Sequence, residues 1–250
     1  MNKLFVIAFM ILSAVGFSQS ADELFVSAND LYKNGKYQEA IDLYEKIAEF
    51  KVQSDDLYYN LGNSYYKLNR VAPSIYNYEK ALKINPVNDD VRINLEFANK
   101  MALDAIEVLP KTIFQKFSEN FIYKLTYETW AVLAVVLSFL GALFFLLYHF
   151  SYTSRRKLIY FNTSILSVIL LIVTVVFSLK AFDYEENTKM AIIFEKVTEI
   201  KNAPTFNSDT VFQLHEGTKV EVLDAIDDWK KIKLADGKIG WIVGENLKEI

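Results

Sequence analysis

Tyr58-Tyr59-Asn60-Leu61-Gly62-Asn63-Ser64-Tyr65-Tyr66-Lys67, followed by Ser74, Tyr78, Ala81 and Pro86, is the stretch on which the fold turns. Gly62 and Ala81 are small enough for two helices to approach closely, and Pro86 stops the second helix. The same phrases stand 34 residues earlier: Tyr32-Lys33 returns as Tyr66-Lys67, and Tyr44-Glu45-Lys46 as Tyr78-Glu79-Lys80. A fixed period of this length marks helix pairs that cannot bury an apolar face alone. Stacked, they form a solenoid with a concave, ligand-facing surface. The expected fold is multidomain: an all-α solenoid here, a two-helix membrane hairpin in the middle, and a small all-β barrel at the end.

The pattern resembles the tetratricopeptide repeat, W-x2-L-G-x2-Y, then A-x3-F, A and P. Tyr58 stands for the Trp, Leu61-Gly62 and Tyr65 are in place, Ser74 stands for the first Ala, Tyr78 for the Phe, and Ala81 and Pro86 follow. An earlier repeat carries Leu24, Ala28, Leu31, Ala40, Tyr44 and Ile47, with Gly35 closing its turn. Residues 89–105 read as a third opening helix, with Leu95 in register and Glu96 where Gly is expected. That departure suits a polar-faced capping helix. The repeat domain is placed at 19–107.

Stacking puts Asn29, Lys33, Asn60, Asn63, Lys67 and Asn94 on the inner face. Side-chain amides donate and accept, so they can bracket a peptide group. The other reading is that they are polar positions facing water. Asn29 and Asn60 match the two asparagines of carboxylate-clamp tetratricopeptide domains. Phe25, Asp90 and Asn94 stand where that clamp has basic residues, which argues against capture of a chain-terminal carboxylate.

Three apolar runs divide the rest. Met1-Asn2-Lys3 precedes Leu4 to Val15, and Gly16 and Ser18 precede Gln19, so 1–18 reads as a signal peptide, with an uncleaved anchor as the alternative. Thr129 to Ser154 and Leu158 to Leu179 contain no Lys, Arg, Asp or Glu. Each is long enough for a membrane-crossing helix of roughly 20 residues. The spans are placed at 129–150 and 158–180. The loop 151–157 between them holds Arg155, Arg156 and Lys157, and adjacent basic residues in a short loop favour the cytoplasm. Residues 19–128 and 183–250 then both lie on the extracytoplasmic face. Segment 108–128, with Ile113, Phe114, Phe117, Phe121 and Ile122 interleaved by lysines, reads as an amphipathic juxtamembrane helix on the membrane surface, or as one folded back on the repeats.

Residues 188–250 switch to period-two alternation, with Glu216-Gly217 and Asp236-Gly237 as turn signals. Leu214-x2-Gly217-x2-Val220, Trp229 and Asp236-Gly237-x2-Gly240-Trp241 resemble bacterial SH3 domains, which bind peptides or peptidoglycan. Trp229 and Trp241 are either ligand platforms or packing residues. His215 reads as a solvated loop residue.

Cysteine is absent and only two histidines occur, His149 and His215. Thiol chemistry, disulfides and His-based metal clusters are thereby excluded. No nucleophile motif or phosphate loop is present, so neither an enzyme nor a cofactor is expected. Segment 21–107 has 10 basic and 15 acidic residues, and 183–250 has 9 and 14. Both modules are acidic and lack the basic stripe that nucleic-acid binding needs. The order of parts resembles the BatE-like family, the repeat-containing component of the Bat (Bacteroides aerotolerance) operon. That resemblance implies an inner-membrane scaffold working beside von Willebrand A-domain membrane proteins and a MoxR-type ATPase, in aerotolerance or envelope stress. The alternative function is a cell-wall sensor that binds peptidoglycan or peptide through the SH3-like module.

Overall fold

The computed structural model describes residues 21–250, so the expected signal peptide lies outside the described residues. Five helices open the described residues: α1 (21–33), α2 (Tyr37–Glu49), α3 (Asp55–Lys67), α4 (Val71–Ile84) and α5 (Asp89–Asn99). Acidic residues occupy the first turns of α3 and α5 and a lysine ends α3, matching the helix dipole. The Asn88 side chain caps α5 by accepting from Val91 N at 3.2 Å. Between α1 and α2, Gly35 takes a left-handed conformation, and Asn69 takes it between α3 and α4, one repeat later. Asparagine is the residue other than glycine that best tolerates this geometry.

The pairs α1/α2 and α3/α4 stack, and α5 opens a third repeat. Ala28, Ala40, Ala72, Ala81 and Ala98 are wholly buried where helices cross, and Ile41, Tyr44, Leu57, Ile75, Tyr78 and Val91 fill the space between. At Gly62 a Cβ would lie 2.6 Å from the Tyr78 ring, so α3 and α4 touch there through backbone and ring. Ser74 Oγ donates to the Gly62 carbonyl at 3.0 Å across the same crossing.

The C-terminal module is a seven-stranded antiparallel sheet: β1 (Lys189–Ile193), β2 (Val197–Lys201), β3 (Thr210–His215), β4 (Lys219–Ile226), β5 (Trp229–Lys233), β6 (Ile239–Val243) and β7 (Leu247–Glu249). Their order is β3-β2-β6-β5-β4-β1-β7. Ala191, Ile193, Ile200, Leu214, Val220, Ile232, Leu234, Ile242 and Leu247 form its core. Gly217 and Gly237, at the two expected turns, both have positive φ. The pairing of β4 with β5 slips between Val222 and Asp224, a bulge that breaks the alternation of β4.

The repeats, the strap of residues 100–108 and the barrel belong to one compact unit. Successive residues of a strand point to opposite faces. Ala191 and Ile193 therefore enter the barrel core, while Ile192 enters the core of the repeats. Phe194 meets Tyr76 of α4 edge-on at 5.6 Å. A Cβ on Gly217 would lie 2.9 Å from Val71 and 3.0 Å from Ile75, so the turn expected at Glu216-Gly217 abuts α4 directly.

The second unit holds α6 (Ile113–Phe117), a π-helical turn (Ser118–Ile122), α7 (Tyr127–Phe150) and α8 (Ser154–Asn187). Both α7 and α8 are long and apolar enough to cross a membrane. On α7 the less exposed residues are Tyr127, Trp130, Ala134, Leu137, Gly141, Phe144 and Tyr148. On α8 they include Ser164, Ser167, Leu171, Thr174, Ser178 and Ala181. Steps of four and three mark the seam of a left-handed hairpin. Ser164 Oγ donates to the Gly141 carbonyl at 3.1 Å and Ser178 Oγ to the Tyr127 carbonyl at 3.0 Å. Small residues and hydroxyls let the backbones approach.

Candidate functional site

On the first helices of the repeats, four of the six groove residues form two rungs. Asn29 Oδ1 accepts from Tyr44 Oη at 2.6 Å and from Asn60 Nδ2 at 3.0 Å. One repeat on, Asn63 Oδ1 accepts from Tyr78 Oη at 2.7 Å and from Asn94 Nδ2 at 2.8 Å. The two rungs are the same construction displaced by one period. Each ties the buried tyrosine of its own second helix to the first helix of the next repeat. Burial pushes the Tyr44 hydroxyl up to about 12 and raises that of Tyr78 as well. Both hydroxyls therefore remain protonated donors, and each donation turns an asparagine carbonyl inward. The Nδ2 atoms of Asn29 and Asn63 have no partner among the described residues.

The reading of these asparagines as polar positions facing water does not describe the Oδ1 half of Asn29 and Asn63, which holds a tyrosine and the next repeat. Removing the Asn63 side chain would leave the Tyr78 hydroxyl without its acceptor, at about 1–3 kcal/mol. Asn94 also donates to Tyr59 Oη at 3.1 Å. Tyr32 and Tyr66, three residues beyond Asn29 and Asn63, share their helix face and are half-buried. Lys33 and Lys67 are exposed, Lys33 beside Asp30 at 3.5 Å. The face thus offers two amide donors one repeat apart, flanked by aromatic rings and lysines.

In the barrel, Trp229 is only 7% exposed and Trp241 only 9%. The exposed Phe206 lies across Trp229 with ring centroids 5.0 Å apart, and Lys231 stands over Trp241 at 5.9 Å. Little of either indole reaches the surface.

His215 departs from expectation. It is half-buried, and its ring Nδ1 lies 2.7 Å from Asp104 in the strap after α5. Asp104 also accepts from His215 N at 2.7 Å and from Thr218 Oγ1 at 2.6 Å. Lys219 pairs with Glu79 of α4 at 2.6 Å. Nothing local signals these contacts, since their partners are more than a hundred residues apart. Burial alone would raise the Asp104 carboxyl, but the hydrogen bonds from Thr218 and His215 outweigh it and hold it below its ordinary value. A depressed carboxyl stabilises the fold above its unfolded value, about 3.9, and loses that contribution as pH falls through the lower folded value. The expected result is a protection factor for the His215 amide hydrogen, its exchange relative to the unfolded chain at the same pH, that holds steady down to about pH 4 and falls below it. Asp104→Asn should show fast exchange already at neutral pH. Equal protection in variant and parent would remove Asp104 as the clasp.

Arg155, Arg156 and Lys157 are exposed on the first turn of α8, and Lys157 lies 5.7 Å over the Tyr148 ring. Among the described residues no group of three or more His, Asp or Glu could hold a metal ion.

Comparison with known families matches residues 28–69 and 56–88 to tetratricopeptide repeats and residues 196–248 to the bacterial SH3 domain. No curated protein matches the chain. The chain therefore carries tetratricopeptide repeats and a bacterial SH3 domain, joined in sequence by two helices long and apolar enough to cross a membrane.

Proposed function

We propose that this protein is a non-enzymatic membrane adaptor that captures protein partners in the groove of its repeats. The carrying observation is the pair of amide donors on Asn29 and Asn63, unpartnered among the described residues and repeated one period apart beside half-buried tyrosines. Tetratricopeptide repeats serve protein–protein interaction, and both they and SH3 domains are typically non-catalytic. The module order, shared by resemblance with the BatE-like family, supports a Bat-type aerotolerance or envelope-stress complex. Its partners there would be von Willebrand A-domain membrane proteins and a MoxR-type ATPase.

The groove test uses Lys33→Glu with Lys67→Glu, because both side chains are exposed and the rungs stay intact. Partners co-purified from native membranes should fall severalfold at equal expression, since a single lost charged contact costs tenfold per 1.4 kcal/mol. An unchanged partner set and yield would move the docking surface elsewhere. The bacterial SH3 match favours a second reading, in which the barrel binds peptidoglycan. Retention of the full chain on purified sacculi, lost with Phe206→Ala, would support it.

Orientation follows from Arg155, Arg156 and Lys157, which favour a cytoplasmic turn between the spans of an inner-membrane protein whose two modules face the periplasm. A periplasm-active reporter joined after Glu107 or Ile250 should be active, and one joined at Ser154 silent. The reverse pattern overturns the orientation.

A further inference from the structure

The segment between the repeats and α7 is not the single surface helix that its spacing predicts. It is α6, five residues with a Thr112/Gln115 capping box, followed by the π-helical turn. That turn is clamped to the two long helices. Ile122 is 2% exposed, and its carbonyl accepts from Trp130 Nε1 at 2.8 Å. Phe117 stacks on Phe121 at 5.1 Å and meets Phe177 of α8 edge-on at 6.3 Å. Phe177 also packs on Trp130 at 5.1 Å, and Tyr123 stacks on Tyr184 at 4.2 Å.

These contacts set a depth. The uncharged run of α8 ends at Leu179, before Lys180. Phe177 precedes Lys180 by three residues, about 4.5 Å along a helix. Trp130 lies at the start of the uncharged run of α7. Phe117 is therefore held level with the inner side of the apolar boundary, not above it. From that fixed turn Ile113 and Phe114 project with 83% and 85% exposure, and Phe121 with 59%. Ile113, Phe114 and Phe117 share one face of α6, while Gln115 and Lys116 lie away from it. Interfacial segments of this kind bury aromatic and aliphatic side chains just below the headgroups and keep lysines in the headgroup layer.

We propose that Thr112–Ile122 is a wedge built into one membrane leaflet, with Ile113, Phe114 and Phe121 inserted among the acyl chains and Lys116 at the headgroups. Its occupant is lipid, because the apolar face continues directly from the two apolar helices. The proposal rests on those helices spanning the bilayer, and its test separates the two.

The chain contains no cysteine, so single cysteines report without background. Nitroxide labels at Phe114→Cys, Lys116→Cys, Val135→Cys and Glu49→Cys, in the full chain reconstituted into phosphatidylcholine–phosphatidylglycerol vesicles, are compared for collision with oxygen and with an aqueous nickel complex. All four native side chains are exposed, so labelling displaces no packing. The expected order of oxygen preference is Val135, then Phe114, then Lys116 level with Glu49. A lipid-embedded Val135 label with Phe114 as water-exposed as Glu49 overturns the wedge alone. A water-exposed Val135 label overturns the spanning helices and the wedge with them. Protection of Phe114 from both colliders, in vesicles containing only this protein, would identify a protein contact and also overturn it.

Discussion

Gly62→Leu should unfold the repeats within the full chain. A Cβ alone would already lie 2.6 Å from two atoms of the Tyr78 ring. Tyr78 has no room to retreat, since it is 1% exposed and holds Asn63 by its hydroxyl. Overpacking a filled core typically costs about 1–3 kcal/mol. Here displacement of the ring also breaks the rung to Asn63 and Asn94, which adds about 1–3 kcal/mol for the stranded hydroxyl. Together they come to about 2–6 kcal/mol, which reaches the low end of a small domain's stability, about 5–15 kcal/mol. In detergent-solubilised protein, protease cleavage within α3 and α4 should appear under conditions that leave the parent intact. Cleavage equal to the parent would mean that α3 and α4 do not cross at Gly62.

The second large effect crosses from one module to the other. Ile192→Ala alters a strand of the barrel, yet the repeats should be what loosens. The Ile192 side chain is fully buried in their core, whereas its neighbours Ala191 and Ile193 point into the barrel. Truncation of a buried isoleucine costs about 2–5 kcal/mol. Hydrogen exchange should accelerate in α4 and α5 more than in β4 to β6. Ile193→Ala, one residue on, should show the opposite distribution. Equal patterns for the two variants would mean that the repeats and the barrel are not joined through β1. Repeats cut away from the barrel also lose this cover and should be less stable than the full chain, even though the period is complete without it.

Each module was legible in the sequence because each rests on short-range pattern. The period of 34 specifies helix pairs, since every repeat must bury the same face against its neighbour. Small residues at Gly62 and Ala81 specify where those pairs touch. Alternation with Gly217 and Gly237 at positive φ specifies a small barrel. Two uncharged runs, each long enough to cross a bilayer at roughly 20 residues, specify apolar helices. What depended on tertiary structure was where individual polar and apolar groups end up. The asparagines of the groove were visible as a pattern, but only the fold aims their carbonyls at Tyr44 and Tyr78 and leaves their amino groups outward. Trp229 and Trp241 were visible as aromatics, but only the folded module decides that they are largely buried. His215 read as a loop residue because its partner, Asp104, lies 111 residues away. The run Ala191-Ile192-Ile193 carries no alternation, because a strand buried on both faces needs none. The physical reason is common to all of these. Helix, strand and turn are decided by neighbours within a few residues, whereas burial and hydrogen-bond partnership are decided by whichever surface the folded chain brings against them.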